Sequence, residues 1–256
     1  MKTETDESLI NFIEQLAAKA WPCYTQETFE NWTMRATFGV TKRANSVHTL
    51  GSLPQDSMWL KKIETFYQEK SIPPCFYISE ISPKELDYLL KSNGYQKVDE
   101  CYTMTASCED IFMHIINKSL WKIEYLSEPD DTWIEEFIKL EGFSSNRQEA
   151  YAHIFSSIKP LKTFLRISDQ EETIGLGTVV LEDGWACISN IVVNRQHRRK
   201  GTATYLMNVL TKWAYENGGH HMYLQVIQTN HPAIELYKKL GFTPLSKHHY
   251  RILLDD

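Results

Sequence analysis

The sequence predicts an α/β protein with a mixed β-sheet, and three observations support this class. Hydrophobic patterns of strand and helix period alternate through the second half in the order β-α-α-β-β-β-α-β-α-β-β. Asp183-Gly184 lies between two apolar runs and predicts a tight hairpin, hence antiparallel pairing. A strand over 185–193 then leads through a basic turn and a helix to a strand over 221–226, a crossover typical of parallel neighbours. We therefore expect a meander continued by a strand-helix-strand unit, with helices on the faces of the sheet.

The first half contains four predicted strands and three predicted helices. An apolar stripe at helical spacing predicts a helix over 6–20, and Trp21-Pro22 ends it because the residue before proline leaves helical geometry. Alternation predicts a strand over 31–40, with a second strand or its approach over 41–47. The remaining predictions are helices over 54–67 and 83–91, and strands over 75–78 and 98–104.

The second half begins after a composition shift over 107–118, which we interpret as a junction between domains over 1–110 and 119–256. Its predicted strands cover 121–126, 164–167, 173–181, 185–193 and 221–226, and its helices 129–140, 147–158 and 231–240. A further long helix follows the basic turn and ends at Gly218-Gly219. From Phe242 onward the pattern predicts a terminal pair of strands closing over 249–254.

Composition narrows the class of protein. A net charge of −6 argues against a general nucleic-acid binder. No apolar run approaches the roughly 20 residues that span a bilayer, so no membrane partner is expected. The acidic start lacks an apolar signal core, and five scattered cysteines fit reduced thiols, so a cytoplasmic protein is expected. Neither cysteine nor histidine spacing matches a metal site.

The basic turn has the features of an anion site. The first turn of a helix leaves backbone N–H groups unpaired and carries partial positive charge. Gly201 lets a phosphate approach the backbone, while Arg198, Arg199 and Lys200 add full charges. The alternative is a solvated basic cluster in which the glycine only shapes the loop.

Two motifs carry a resemblance to a known family. The turn satisfies Arg/Gln-x-x-Gly-x-Gly/Ala through Arg198, Gly201 and Ala203, directly after an apolar strand. A second signature, Asn-x-x-Ala-x-x-Leu-Tyr-x-x-x-Gly-Phe, is complete at Asn230, Ala233, Leu236, Tyr237, Gly241 and Phe242. Over about half of the chain, the sequence resembles the GCN5-related N-acetyltransferase (GNAT) superfamily. The resemblance implies the GNAT acyltransferase fold, acetyl-coenzyme A as co-substrate, no metal, and transfer of acetyl to an amine.

The resemblance also implies roles for individual residues. Backbone N–H groups of the turn would hold the pyrophosphate, and the pantetheine arm would lie as a false strand along the end of the preceding strand, where a bulge splays the sheet. Asn230 would fix the cofactor arm as well as cap its helix. Tyr237 would stabilise or protonate the leaving thiolate, and is the one catalytic residue assigned. The expected cofactor-binding residues are Ile191, Val192, Val193, Arg198, Arg199, Lys200, Gly201, Thr202, Ala203, Thr204, Asn230 and Tyr237.

The general base has no assignment. An alkyl ammonium has a pKa of about 10, so its proton must be removed before the nitrogen can attack. Several members of the superfamily use a glutamate on the strand after the long helix, but this chain has Gln225 there. Candidates by location alone are Ser189, Asn190, His153 and Glu182. Cys187 could suggest an acyl-cysteine intermediate, although a small buried strand residue explains it better.

The first half resembles a degenerate copy of the same fold, in a tandem arrangement. The sequence of its predicted helix and turn over 85–95 is similar to that over 235–242. Leu50-Gly51-Ser52-Leu53-Pro54 stands where the phosphate-binding turn belongs, so this copy is expected to bind no coenzyme A. Arg43, Asn45 and Ser46 form either a buried polar brace, which we favour, or part of the acceptor pocket.

The leading hypothesis is therefore an acetyl-coenzyme A-dependent N-acetyltransferase that transfers acetyl directly to a primary amine of a small molecule or peptide. The alternative is a non-catalytic acyl-coenzyme A-binding or regulatory protein that kept the fold and lost the base. A homodimer is left open, and the sequence does not choose the acceptor.

Overall fold

The structure, a computed structural model, describes residues 4–112 and 121–254. Its helices and strands are named here in chain order: α1 Glu4–Ala20, β1 Thr25–Phe29, β2 Trp32–Ala36, β3 Val47–His48, α2 Trp59–Gln68, β4 Cys75–Ser79, α3 Leu86–Ser92, β5 Gln96–Ser107, α4 Cys108–Phe112, β6 Lys122–Leu126, α5 Asp131–Glu141, α6 Gln148–Ser156, β7 Leu161–Asp169, β8 Glu172–Glu182, β9 Trp185–Val193, α7 Thr202–Glu216, β10 His221–Ile227, α8 His231–Lys239 and β11 Thr243–Ile252.

The chain divides into two compact units. The first contains the residues up to Tyr102, together with Ile227–Thr229 and the chain from Leu245 onward. The second contains the described residues from Thr103 to Val226 and Asn230–Pro244. The second half of the predicted junction over 107–118, residues 113–118, lies outside the described residues. The two domain ranges, 1–110 and 119–256, stay a prediction.

The first unit has strands in the order β1-β2-β3-β4-β11. β1 to β3 form an antiparallel meander, β3 is parallel to β4, and β11 is antiparallel to β4. The core is aromatic: the ring of Trp32 meets those of Trp59 and Phe76 edge-on, at 5.3 Å and 6.3 Å between centroids. The buried side chains of α2 and α3 pack into the same cluster.

The second unit has strands in the order β10-β9-β8-β7-β6. β6 to β9 form an antiparallel meander, and β9 is parallel to β10. Trp133 of α5 stacks on Phe137 and donates a hydrogen bond from Nε1 to the carbonyl of Leu165 on β7, at 3.1 Å. An aromatic layer from α5, α6 and β7 thus covers this part of the sheet.

The order of pairing is the same in both units. An antiparallel meander leads into a strand that is parallel to the next, with one helix between the two: α2 between β3 and β4, and α7 between β9 and β10. A shorter helix follows the parallel strand in each case, α3 and α8 respectively. We interpret this repetition as the tandem copy that the sequence predicted.

Three sequence predictions differ from the structure. The prediction of a terminal pair of strands is wrong, because Thr243–Ile252 forms one continuous strand. β1 was not predicted, because its turn to β2 is made by Glu30 at φ 51° rather than by a glycine. The stretch 41–47 contains a 3₁₀ turn at Lys42–Ala44 and only a two-residue strand, and the helix predicted from residue 54 begins at Trp59.

Within the described ranges, no helix has both the length and the apolar character needed to cross a membrane. All five cysteines lie in these ranges, and none forms a disulfide.

Candidate functional site

The sheet of the second unit opens between β9 and β10. Their parallel pairs run from Trp185/His221 to Cys187/Tyr223, and the described residues beyond contain no further β9–β10 pair, although both strands continue. Unpaired strand backbone can accept an extended ligand as an additional strand. The end of β9, at Ile191–Val193, therefore faces an opening in the sheet.

A bulge in β9 lies at this opening. The register with β8 shifts between Leu176 and Thr178, so that one extra residue of β9 is accommodated. Asn190 has a φ of 56°, and its side-chain amide donates to Oγ1 of Thr178 at 3.1 Å. Such a bulge bends its strand and frees ladder groups. The bulge that the resemblance implied is thus present, and Asn190 stabilises it.

The turn after β9 is built by backbone geometry. Asn194 accepts from the N–H of Gln196 at 3.1 Å and begins a short 3₁₀ turn. Gly201 precedes α7 with φ 82°, a conformation that glycine adopts at little cost. The hydroxyl of Thr202 donates to the carbonyl of His197 at 2.8 Å and closes the turn.

This turn leaves a row of donors without acceptors. Among the residues that the structure describes, none accepts a hydrogen bond from the backbone N–H groups of Arg199, Lys200, Gly201, Thr202, Ala203 or Thr204. The same groups form the positive end of the α7 dipole. Because an anion needs several convergent N–H donors, this geometry fits a phosphate.

Arg198 has a different position from that expected of a phosphate-binding side chain. Its Nε donates to the carbonyl of Val193 at 3.0 Å. The guanidinium thus connects the turn to the end of β9, while the side chain stays exposed. Arg198 acts here as a brace of the turn in addition to any charge it supplies.

The end of β9, the turn and the start of α7 line one pocket of about 750 Å³. All the residues expected from the sequence to bind a cofactor line it except Lys200, which is exposed outside it. Sequence reasoning missed the other lining residues: Leu140, Glu141, Arg195, Pro232, Ala233 and Leu236. Ala233 and Leu236 belong to the second motif, which could have indicated them, whereas Leu140 and Glu141 at the end of α5 have no local signal.

α8 brings Asn230 and Tyr237 to the same pocket. Asn230 is the N-cap of α8, with its side chain accepting from the N–H of Ala233 at 3.3 Å. Tyr237 lies two turns further, half-buried, with its ring 5.8 Å from that of Phe242. The phenol and the N–H row therefore share one cavity.

None of the four candidate bases is among the described residues that line this pocket. Asn190 supports the bulge, Ser189 lies opposite Thr178 in the ladder, and His153 is in the last turn of α6. Glu182 pairs with Trp185 at the far end of β8. Gln225 is half-buried on β10 and is also absent from the described lining.

Cys187 is a buried strand residue. It lies opposite Tyr223 in the β9–β10 register and is hydrogen-bonded to its hydroxyl. Burial, and secondarily this thiol, hold the pKa of Tyr223 well above its ordinary value. The environment is apolar packing, which agrees with the structural interpretation of Cys187.

The polar segment of the first unit forms internal contacts. Asn45 accepts through Oδ1 from the N–H groups of Thr37 and Gly39, and donates through Nδ2 to the carbonyls of Thr37 and Thr41. Arg43 accepts through its carbonyl from Arg35 and places its guanidinium 4.8 Å from the Trp21 ring centroid. Ser46 is fully buried. The contacts of Asn45 and Arg43 agree with the brace rather than with an acceptor pocket, whereas the buried Oγ of Ser46 has no hydrogen-bond partner among the described residues.

Within the described parts of the chain, no group of three or more His, Cys, Asp or Glu side chains could hold a metal ion.

In comparison with known sequences, one family model and one relative match nearly the whole chain, and other relatives match part of it. The family model described as "Probable histone acetyltransferase Rv0428c C-terminal" matches residues 7–253. "Uncharacterized N-acetyltransferase YobR" of Bacillus subtilis (strain 168) is 48% identical over 243 residues, which are 95% of this chain and 98% of that protein. Streptothricin acetyltransferase of Streptomyces lavendulae is 32% identical over 84 residues, 32% of this chain and 44% of that protein.

Solved structures share the fold at low sequence identity. A GCN5-related N-acetyltransferase from Kribbella flavida superposes with a TM-score of 0.71 at 13% identity, covering 95% of this chain and 96% of that one. A tandem GNAT protein from the clavulanic acid biosynthesis pathway gives a TM-score of 0.65 at 10% identity, covering 95% and 89%. The predicted fold class is confirmed by these similarities.

Proposed function

The chain belongs to the GCN5-related N-acetyltransferase superfamily, in the family described as "Probable histone acetyltransferase Rv0428c C-terminal", and from this premise we propose that it transfers acetyl from acetyl-coenzyme A directly to a primary amine. The observation that carries the proposal is the row of N–H groups from Arg199 to Thr204, which opens into the same pocket as Tyr237. The names of the relatives point to a protein acceptor in one case and a small molecule in another, so the proposal keeps both classes.

The residues fit the co-substrate in three ways. The unbonded N–H groups at the start of α7 would hold the pyrophosphate. The unpaired end of β9 would bind the extended pantetheine arm through Ile191, Val192 and Val193. Asn230 would orient the arm from the start of α8, near the turn.

The chain's own groups would then act at the reacting end. Acetyl-coenzyme A would supply an acetyl group already activated as a thioester. A backbone N–H near the β9 bulge would stabilise the negative charge on the carbonyl oxygen. The phenol of Tyr237 would donate a hydrogen bond to the sulfur, and then its proton as the C–S bond breaks. The phenolate would regain a proton, through solvent, from the nitrogen that has become the amide.

A non-catalytic acyl-coenzyme A-binding protein is the second candidate. Its support is the absence of Ser189, Asn190, His153, Glu182 and Gln225 from the described lining of the pocket. In that case the pocket would bind the thioester, and none of these five residues would accept the proton of the acceptor.

Calorimetry with acetyl-coenzyme A, followed by thiol release across amines and peptides, tests both candidates. Binding with turnover on any acceptor supports the transferase. Binding without turnover across a broad panel favours the second candidate. An absence of binding would contradict the assignment of the turn itself.

A further inference from the structure

The pocket contains one negative side chain among several positive ones. Of its described lining residues, Glu141 alone is acidic, whereas Arg195, Arg198 and Arg199 are basic. The basic side chains cluster at the start of α7, beside the unbonded N–H row. The lining of the pocket therefore includes both a row of donors suited to an anion and one carboxylate.

Glu141 is placed by the end of a helix. It is the last residue of α5, and Gly142 follows as the C-cap with φ 74°. The N–H of Phe143 donates to the carbonyl of Ile138 at 2.9 Å, which fixes the chain as it leaves the helix. The C-terminal end of a helix carries partial negative charge, so it adds to the charge of the carboxylate and favours a cation there.

We propose that Glu141 binds the ammonium group of the acceptor and so selects acceptors that are cations at neutral pH. The inference rests on the proposed transfer to an amine and names the residue that recognises this amine. Glu141 lies on the same pocket as Tyr237, is exposed to solvent, and is the one described carboxylate that a ligand in the pocket can meet.

The charge pattern also defines the class of acceptor. An alkylamine with a pKa of about 10 is positively charged near pH 7 and is attracted to a carboxylate. An amine with its own carboxylate next to the nitrogen brings a like charge to Glu141, which opposes binding. The favoured acceptors are therefore polyamines and lysine-like side-chain amines, rather than free α-amino acids.

The test compares E141Q with a matched control, E135Q. Glu135 is an exposed residue of the same helix and is not part of the described pocket lining, so its substitution removes the same charge elsewhere. Ligand-observed NMR would measure binding of n-butylammonium, spermidine and glycine, with and without coenzyme A. We expect the two cations to bind wild type and E135Q alike, glycine to bind weakest, and E141Q to lose about fivefold to tenfold in affinity for the cations.

Turnover gives a second readout where acetyl transfer is observed. E141Q should raise KM for n-butylamine more than E135Q does, and E141D should recover part of the loss. Aniline is neutral at pH 7, so E141Q should change the KM for aniline less than the KM for n-butylamine.

Equal cation binding by wild type and E141Q, or no cation binding by wild type, would overturn the role of Glu141. Failure of wild type to bind acetyl-coenzyme A would instead overturn the proposed function. The titration of cations without coenzyme A still decides the role of Glu141 in that case, so the two failures are distinguishable.

Discussion

Among single residues, Tyr237 and Gly201 contribute to the pocket in different ways. Tyr237 offers a phenol to the reacting end, while its backbone carbonyl accepts from the N–H of Phe242 at 3.0 Å and so helps to end α8. Gly201 offers no side chain, and its φ of 82° directs the following N–H groups toward the cavity. A substitution at the first should affect chemistry, and one at the second should affect binding.

Tyr237→Phe removes only the hydroxyl, so the packing against Phe242 persists. We expect turnover to fall by about tenfold to a thousandfold, since general acid groups contribute on that order. The dissociation constant for acetyl-coenzyme A, measured by calorimetry, should change little. Unchanged turnover would remove Tyr237 from the mechanism.

Gly201→Val should abolish binding of acetyl-coenzyme A. A β-branched side chain is strained at φ 82° and fills the approach to the N–H row. Gly218→Val is the control, because φ is 92° there and a Cβ would meet no atom within 4 Å. Both variants should lose a similar stability of roughly 1–3 kcal/mol, and calorimetry should show binding only in the second. Tight binding by Gly201→Val would contradict the phosphate-binding turn.

The sequence predicted those residues of the pocket that lie together in short motifs. Arg198, Gly201 and Tyr237 lie in short motifs whose spacing could be recognised, and the structure brings them to one pocket. Glu141 lies far from both motifs in sequence, at the end of an ordinary amphipathic helix. Only the fold brings it to the cavity, so no pattern within α5 indicated it.

Among the elements, α7 and β8 are fitted closely to each other. A Cβ on Gly177 would lie 2.8 Å from Cδ1 of both Ile191 and Leu210, and one on Gly175 would lie 2.8 Å from Cδ1 of Leu206. The absence of side chains at these two positions lets the apolar face of α7 rest on the sheet. The position of the N–H row therefore depends on β8 as well as on the turn.

Gly177→Val should destabilise the second unit by about 1–3 kcal/mol, because it overpacks this contact. Leu210→Ala in the same chain opens space, so the double variant should lose less than the sum of the two single variants. The free energy of unfolding from urea titration measures both effects. Additive losses would show that the two side chains do not compete for the same space.

The elements themselves were predictable where their periodicity was strong. β9, α8 and the helices of the second unit follow patterns within a few residues. The prediction divides β11 into two strands, whereas in the structure β11 is continuous and its residues His248 to Ile252 pair with Ser79 to Cys75 of β4. This pairing depends on a strand that is distant in sequence, so the local pattern of residues does not predict the length of β11.

At the scale of the whole molecule, buried titratable groups of the first unit link stability to pH. His248 is buried and stacks on Tyr77 at 4.8 Å. Burial, with the nearby charges of Arg43 and His249, lowers the pKa of His248 to about 3. Burial also lowers the pKa of His48 well below its usual value and raises that of Glu14 to about 7.

These shifts have opposite effects on stability. Between about pH 3 and 6.5 the unfolded chain binds a proton at His248 that the folded chain does not, so stability falls as pH falls through this window. Between about pH 4.5 and 7 the folded chain keeps a proton on Glu14 that the unfolded chain releases, so this group loses stability as pH rises. The two partly offset each other between pH 4.5 and 6.5.

His248→Phe should therefore reduce the loss of stability on acidification, by at most about 1.4 kcal/mol per pH unit. Glu14→Gln should steepen the same loss between pH 6.5 and 4.5, because the offset disappears. Urea titrations from pH 7 to pH 4 measure both slopes. Slopes identical to wild type in both variants would contradict this assignment of the linkage.

The place of β11 in the chain has a consequence for synthesis. This strand pairs with β4 in the first unit, yet it is translated after every element of the second unit. A nascent chain on the ribosome can form the meander β1 to β3 early, but the free edge of β4 stays open until β11 has emerged. During this interval the unpaired edge of β4 is available for incorrect strand pairing. The ribosome thus synthesises β4 early, but the strand that completes its pairing is the last element of the chain.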